Sequence, residues 1–168
     1  MSSTPIPRSS SSVARLVQCA LLAALTAVAT LISIPIFGGH GFVNPGDAVI
    51  HFSVYALGGW YAVSAAAIGS ALADIMTGYL IYAPATFIIK GLTALAGVRL
   101  IKRTKHPQAA FFISGIIMPI GYFLYELPVL SPSAALVDIP WNLIQYAVCA
   151  LLGSVLVLIL TRSGFKRR

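Results

Sequence analysis

Charge is what this chain has least of. Only 9% of its 168 residues are Asp, Glu, Lys or Arg, and four of those are acidic, where an ordinary soluble domain carries roughly 25%. Beside 58% hydrophobic residues, so little charge excludes a soluble enzyme or scaffold and leaves an integral membrane protein of one domain. Cysteine is nearly absent too. Cys19 and Cys149 both lie inside apolar runs with no CxxC spacing, which excludes a disulfide framework and a cysteine metal site and makes them small core residues. A GxxxxGK[ST] phosphate loop is missing, so the chain does not hydrolyse ATP in the P-loop manner, and no cofactor or metal is expected. The net charge of +7 does not mark a nucleic-acid binder, because the basic residues fall in short clusters between apolar runs with no basic face interleaved with aromatics.

Long apolar runs are what is present. The Ser- and Pro-rich residues 1–15 read as a disordered cytoplasmic tail. The run from Leu16 to Phe37 exceeds the roughly 7–15 residues of a signal-peptide core, so it is expected to stay as a transmembrane helix. Lys and Arg collect on the cytoplasmic side of short loops. Three such clusters exist: Arg8 and Arg15; Arg99, Lys102, Arg103 and Lys105; and Arg162, Lys166, Arg167 and Arg168. If all three are inside, an even number of helices separates each pair. The breakers GGHGFVNPG, GGW and TGYLIYAP divide the first interval into four helices, and the second holds two. The predicted fold is therefore all-α, with six transmembrane helices, N-in and C-in, across residues 16–161, followed by a basic cytoplasmic tail at 162–168. The spans are about 16–37, 42–57, 60–77, 85–101, 109–126 and 140–161, with Pro84 and Pro140 in first turns and Pro119 kinking the fifth helix.

The second helix is too short to cross. From Asp47 to Leu57 it rises roughly 16 Å, against a hydrocarbon core of about 30 Å. The Gly-rich loop before it, with Gly38, Gly39, Gly41 and Gly46, is expected to dip into the membrane, which irregular backbone does only when buried in protein or lining a watery cavity. A pocket open to the outside follows. Helices two, four and six run outside to inside, so their positive N-terminal ends point toward it.

The intramembrane polar residues fall in the same outer half. Lys90 sits roughly 9 Å into helix four, Asp47 and His51 are four apart on helix two, Asn142 and Gln145 are three apart on helix six, Asp74 ends helix three and Glu126 ends helix five. Lys90 needs a partner, because a charge at helix centre costs about 2.5–3.5 kcal/mol; pairing with Asp74 or Glu126 and direct ligand contact both satisfy it. Asn142 and Gln145 serve either the ligand or interhelical hydrogen bonding, and His51 reads as a core histidine or a ligand contact. Tyr79 and Tyr82 could stack on a flat ring or sit at the membrane interface, as do Trp60 and Trp141. Asp138, just before Pro140, reads as a helix cap. On helix one, Ala20 with Ala24 and Ala23 with Ala27 form a small-xxx-small pattern that admits another helix closely.

NPGDAVI at 44–50, AAAIGSALADIMTGY at 65–79, YAPATFIIKGL at 82–92 and IPWNLIQYAVCALLGSVL at 139–156 resemble the substrate-binding S components of energy-coupling factor (ECF) vitamin transporters. The likeness is to the branch with riboflavin, hydroxymethylpyrimidine and pyridoxine S components, and it spans nearly the whole chain beyond the tail. It implies a multi-pass protein of a prokaryotic plasma membrane that captures a small-molecule vitamin from outside and depends on a transmembrane T component and, through it, two cytoplasmic ATPases. By resemblance, Ala20, Ala23, Ala24 and Ala27 would face the T component and the Gly38–Gly46 loop would gate the pocket. The expected substrate site comprises Asp47, His51, Asp74, Tyr82, Lys90, Glu126, Asn142 and Gln145. The Met-His signature of nickel and cobalt members does not follow Met1, which disfavours a metal substrate. Within the mainly apolar cavity, amides, carboxylates and a lysine suit a small polar heteroaromatic such as hydroxymethylpyrimidine or pyridoxine, with the larger riboflavin second.

Two other classes compete. An intramembrane serine protease would have to use Ser70 with His51, without a GxSG context, and Ser70→Ala separates it from a binder. A stand-alone secondary carrier would show uptake independent of the ATPases, and no inverted repeat supports it.

Overall fold

A computed structural model of the chain describes residues 9–35 and 42–164. Helix α1 (Ser9–Leu31) leads into a two-residue antiparallel ladder of β1 (Ile34–Pro35) with β2 (Phe42–Val43), in which Ile34 faces Val43 and Pro35 faces Phe42. Then come α2 (Gly46–Ala56), α3 (Gly59–Met76), α4 (Ala83–Thr104), α5 (Pro107–Gly115), α6 (Ile117–Val129) and α7 (Pro132–Arg162). Five passes are long and apolar enough to cross a membrane: Ser12–Leu31, Gly59–Met76, Ala83–Thr104, Pro107–Val129 and Pro132–Arg162. The sixth, α2, has 11 residues, as its short apolar run required.

Several boundaries differ from the sequence expectation for physical reasons. Helix α1 starts at Ser9, inside the stretch read as a tail, and ends at Leu31 because the chain turns into the β-ladder. The fifth pass breaks at Ile116 rather than bending at Pro119 itself: the proline ring crowds the carbonyl four residues back, at Gly115, where α5 ends. The last helix begins at Pro132, not near Pro140. Ser131 caps it by accepting a 3.1 Å hydrogen bond from the Ala134 N–H, and Pro132 occupies the first turn. Pro140 is consequently inside α7, and Asp138 is a buried residue of the helix body rather than its cap.

Helix α3 packs between α1 and α4, while α7 packs on α2, α5 and α6. Lipid tails are as apolar as leucine, so small residues at close crossings hold such a bundle together. At Gly69 a side chain would collide with the Ala23 carbonyl and come within 2.9 Å of Thr26 Cβ, so α1 and α3 approach almost backbone to backbone. Ala27 shares this covered side of α1, whereas Ala20 and Ala24 are exposed. Gly58 and Gly59, at φ 60° and 57°, make the tight turn from α2 into α3.

The basic ends gather at one side of the bundle. Arg15 lies 5.3 Å from the centre of the Tyr61 ring at the start of α3, and the C-terminal turns of α2, α4 and α7 meet around Tyr55, Lys102 and Thr161. That half is filled by a continuous apolar core including Ile50, Val54, Ala62, Ala94, Val98, Ile101, Phe111 and Val157. The opposite half holds the buried charged residues Asp47, Asp74, Lys90, Glu126 and Asp138.

Candidate functional site

Two polar layers occupy that half. The deeper one is built on α2, α4 and α7. Lys90 Nζ donates to both carboxylate oxygens of Asp47, at 2.7 and 2.8 Å, and lies 5.3 Å from the centre of the Tyr122 ring. Gln145 Nε2 donates to Asp47 Oδ2 at 2.7 Å, while Gln145 Oε1 accepts from the Asn44 N–H at 2.9 Å and from Asn44 Nδ2 at 3.4 Å. Asn44 Oδ1 in turn accepts from the Gly46 N–H at 2.9 Å, and Cys149 Sγ donates to the Asn44 carbonyl at 3.3 Å. This chain of bonds clamps the root of the Gly-rich segment onto α7. The partner of Lys90 is thus Asp47, on α2, rather than Asp74 or Glu126 as the sequence led us to expect. Sequence spacing along single helices could not reveal it, because the pair joins residues 43 apart.

The second layer surrounds a cavity with about 40 Å³ of water-accessible space. Helix α4 and the turn before it supply Tyr79, Tyr82 and Thr86, and α6 supplies Tyr122 and Glu126. Asp74 enters from the end of α3, Asp138, Asn142 and Gln145 from α7, and Asn44 from the loop root. Tyr82 is the centre of an aromatic cluster, with ring centres 6.2 Å from Tyr79, 6.3 Å from Tyr122 and 5.7 Å from Tyr125. Its hydroxyl donates to Glu126 Oε1 at 3.4 Å, and the Tyr125 hydroxyl donates to the Ile81 carbonyl, fixing α6 to the turn before α4. The hydroxyls of Thr86 and Tyr122 share a 2.9 Å hydrogen bond. In this layer Asp74 Oδ2 and Glu126 Oε2 are buried and accept no hydrogen bond among the described residues.

Of the residues expected from sequence, Asp74, Tyr82, Glu126, Asn142 and Gln145 line this cavity together. Asp47 and Lys90 lie in the layer beneath, joined to the cavity through Gln145. His51 is farther into the bundle, buried and stacked on Phe111 with ring centres 4.7 Å apart. Gly46 is the part of the expected gate seen in the described residues, where its N–H is bonded to Asn44; Gly38, Gly39 and Gly41 lie outside them. Ser70 is buried, and no hydrogen bond joins it to His51 among the described residues, so the protease pairing has no geometry behind it.

Asn44, Thr86, Tyr122 and Asp138 were missed. A signal existed for two of them: Thr86 is midway in the i, i+4 series Tyr82, Thr86, Lys90 along α4, and Tyr122 is one turn before Glu126 on α6. Asp138 was hidden because Pro140 suggested a helix start beside it.

The short α2, the broken fifth pass and the polar half of the bundle belong to a fold that has a solved counterpart. A solved structure described as "Structure and mechanism of the S component of a bacterial ECF transporter" superposes with a TM-score of 0.76, covering 91% of this chain and 98% of that one at 20% identity. At the sequence level, residues 10–162 match the family described as "ECF-type riboflavin transporter, S component", and the chain belongs to that family. It is therefore a multi-pass membrane protein and a substrate-binding subunit of an ECF transporter, not an enzyme. An uncharacterised protein of Pyrococcus woesei is 28% identical over 142 residues, covering 83% of this chain and 95% of its own length.

Proposed function

We propose that this S component captures a small nitrogen heteroaromatic vitamin or vitamin precursor, of the hydroxymethylpyrimidine or pyridoxine type, from outside the cell. The observation that carries this reading is the cavity itself: three tyrosines, Tyr79, Tyr82 and Tyr122, beside two buried carboxylates, Asp74 and Glu126, each with one oxygen that accepts no hydrogen bond among the described residues. Aromatic faces hold a flat ring, while fixed polar groups read its edge. The limited space, about 40 Å³ accessible to water, favours a one-ring ligand over a larger one. In this reading Asp74, Tyr82, Glu126, Asn142 and Gln145 touch the substrate, whereas Asp47, Lys90 and His51 support them from below. Riboflavin is the second reading, favoured by the description of the family.

Energy comes from partners, a T component and two ATPases, with the exposed Ala20 and Ala24 face of α1 as the docking surface and Ala23 and Ala27 packed inward. The test is to purify the protein in detergent without added ligand, denature it, and identify the released small molecules by mass spectrometry. A stoichiometric pyrimidine or pyridine supports the first reading, and a flavin supports the second. An empty protein that no vitamin stabilises against heat counts against both.

A further inference from the structure

The substrate class can be narrowed by charge, given the S-component reading above. Asp74 and Glu126 reach the cavity from opposite helices, are 4% and 2% exposed, and each keeps one carboxylate oxygen with no hydrogen-bond partner. An ionised carboxylate only accepts hydrogen bonds, and among the described residues no group donates to Asp74 Oδ2 or Glu126 Oε2. Three nearby donors are engaged elsewhere. Lys90 is held by both oxygens of Asp47, and turning it toward the cavity would strand that carboxylate instead. Gln145 Nε2 donates to Asp47, and Asn44 Nδ2 donates to Gln145. No Lys, Arg or His lines the cavity among its described residues.

We propose that the ligand itself supplies the missing donors: the pocket selects a nitrogen heteroaromatic that carries an amino substituent or a positive charge, placed against Asp74 and Glu126 with its ring among the tyrosines. Aromatic faces are the negative side of the ring quadrupole, so the tyrosine cluster around Tyr82 favours a cationic ring as the carboxylates do. A ring edged with carbonyl oxygens would set acceptor against acceptor, and a phosphorylated ligand would set anion against anion.

The test uses matched ligand pairs on the full-length protein, freed of bound ligand: pyridoxamine against pyridoxine, which exchange an amine for a hydroxyl, and 4-amino-5-hydroxymethyl-2-methylpyrimidine against its 4-oxo analogue. Thiamine and riboflavin extend the series as a larger cation and a larger neutral ring. Calorimetry is expected to give at least about tenfold tighter binding of the amino member in a pair, a difference of about 1.4 kcal/mol. Glu126→Gln should bring that ratio toward one, and Asp74→Asn provides the same readout if the first variant does not fold. Equal or tighter binding of the oxo or hydroxyl members, or of riboflavin alone, overturns the charge inference while leaving capture of a heteroaromatic vitamin intact. A folded protein that binds no member of the series overturns the charge inference and the proposed substrate class together.

Discussion

The two polar layers both hold deeply buried carboxylates and differ in completeness. In the deeper layer Asp47 has both oxygens bonded to Lys90 and a third hydrogen bond from Gln145. In the upper layer Asp74 and Glu126 are as buried as Asp47, yet each retains an oxygen without a donor. Buried polar groups are nearly always satisfied in folded proteins, so a satisfied layer beside an unsatisfied one separates architecture from binding. The lower layer ties α2, α4 and α7 together, and in the proposed reading the upper layer receives the substrate.

That contrast can be broken most severely at Lys90. Lys90→Met leaves the Asp47 carboxylate buried with only Gln145, and breaking a buried pair in this way costs about 3–5 kcal/mol. The expected result is loss of folded protein or a large drop in Tm in detergent, with recovery in the double variant Asp47→Leu/Lys90→Met. If Lys90→Met unfolded normally and lost only ligand, the lower layer would belong to the binding site after all.

Glu126→Gln attacks the other layer. The change removes a charge without removing volume, so the ligand-free protein should unfold within about 1 kcal/mol of the parent, while substrate affinity falls tenfold or more by calorimetry. Gln145→Leu falls between the two. It deprives the Asn44 N–H and Asp47 of partners at once, and the expected outcome is a loss of about 1–3 kcal/mol in stability together with weaker binding. The smallest effect is expected from Ser70→Ala: its hydroxyl has no role in either layer, so Tm and ligand affinity should both stay close to the parent values. A large loss of binding there would instead place Ser70 among the residues that support the site.

Much of the fold was legible because hydrophobic length, breaker residues and basic clusters are local signals. The shortness of α2 followed from the spacing between NPGD and GGW, and the placement of Asp74, Tyr82, Glu126, Asn142 and Gln145 toward one end followed from their depth along each helix. What was not legible depends on rotation between helices. Lys90 had Asp74, Glu126 and Asp47 all at suitable depth, and only the packing of α2 against α4 chose Asp47. Proline misled at the last helix. Pro140 was read as a start signal, although Ser131 and Pro132 form the actual capping pair, and a membrane helix tolerates an internal proline that a soluble helix would not.

The most direct measurement is a structure of the protein with its substrate bound. The account predicts substrate donors within hydrogen-bond distance of Asp74 or Glu126, the ring against Tyr82 or Tyr122, and the Lys90–Asp47 pair unbroken beneath. A ligand bonded to Lys90 with that pair opened, or seated outside the tyrosine cluster, would contradict it.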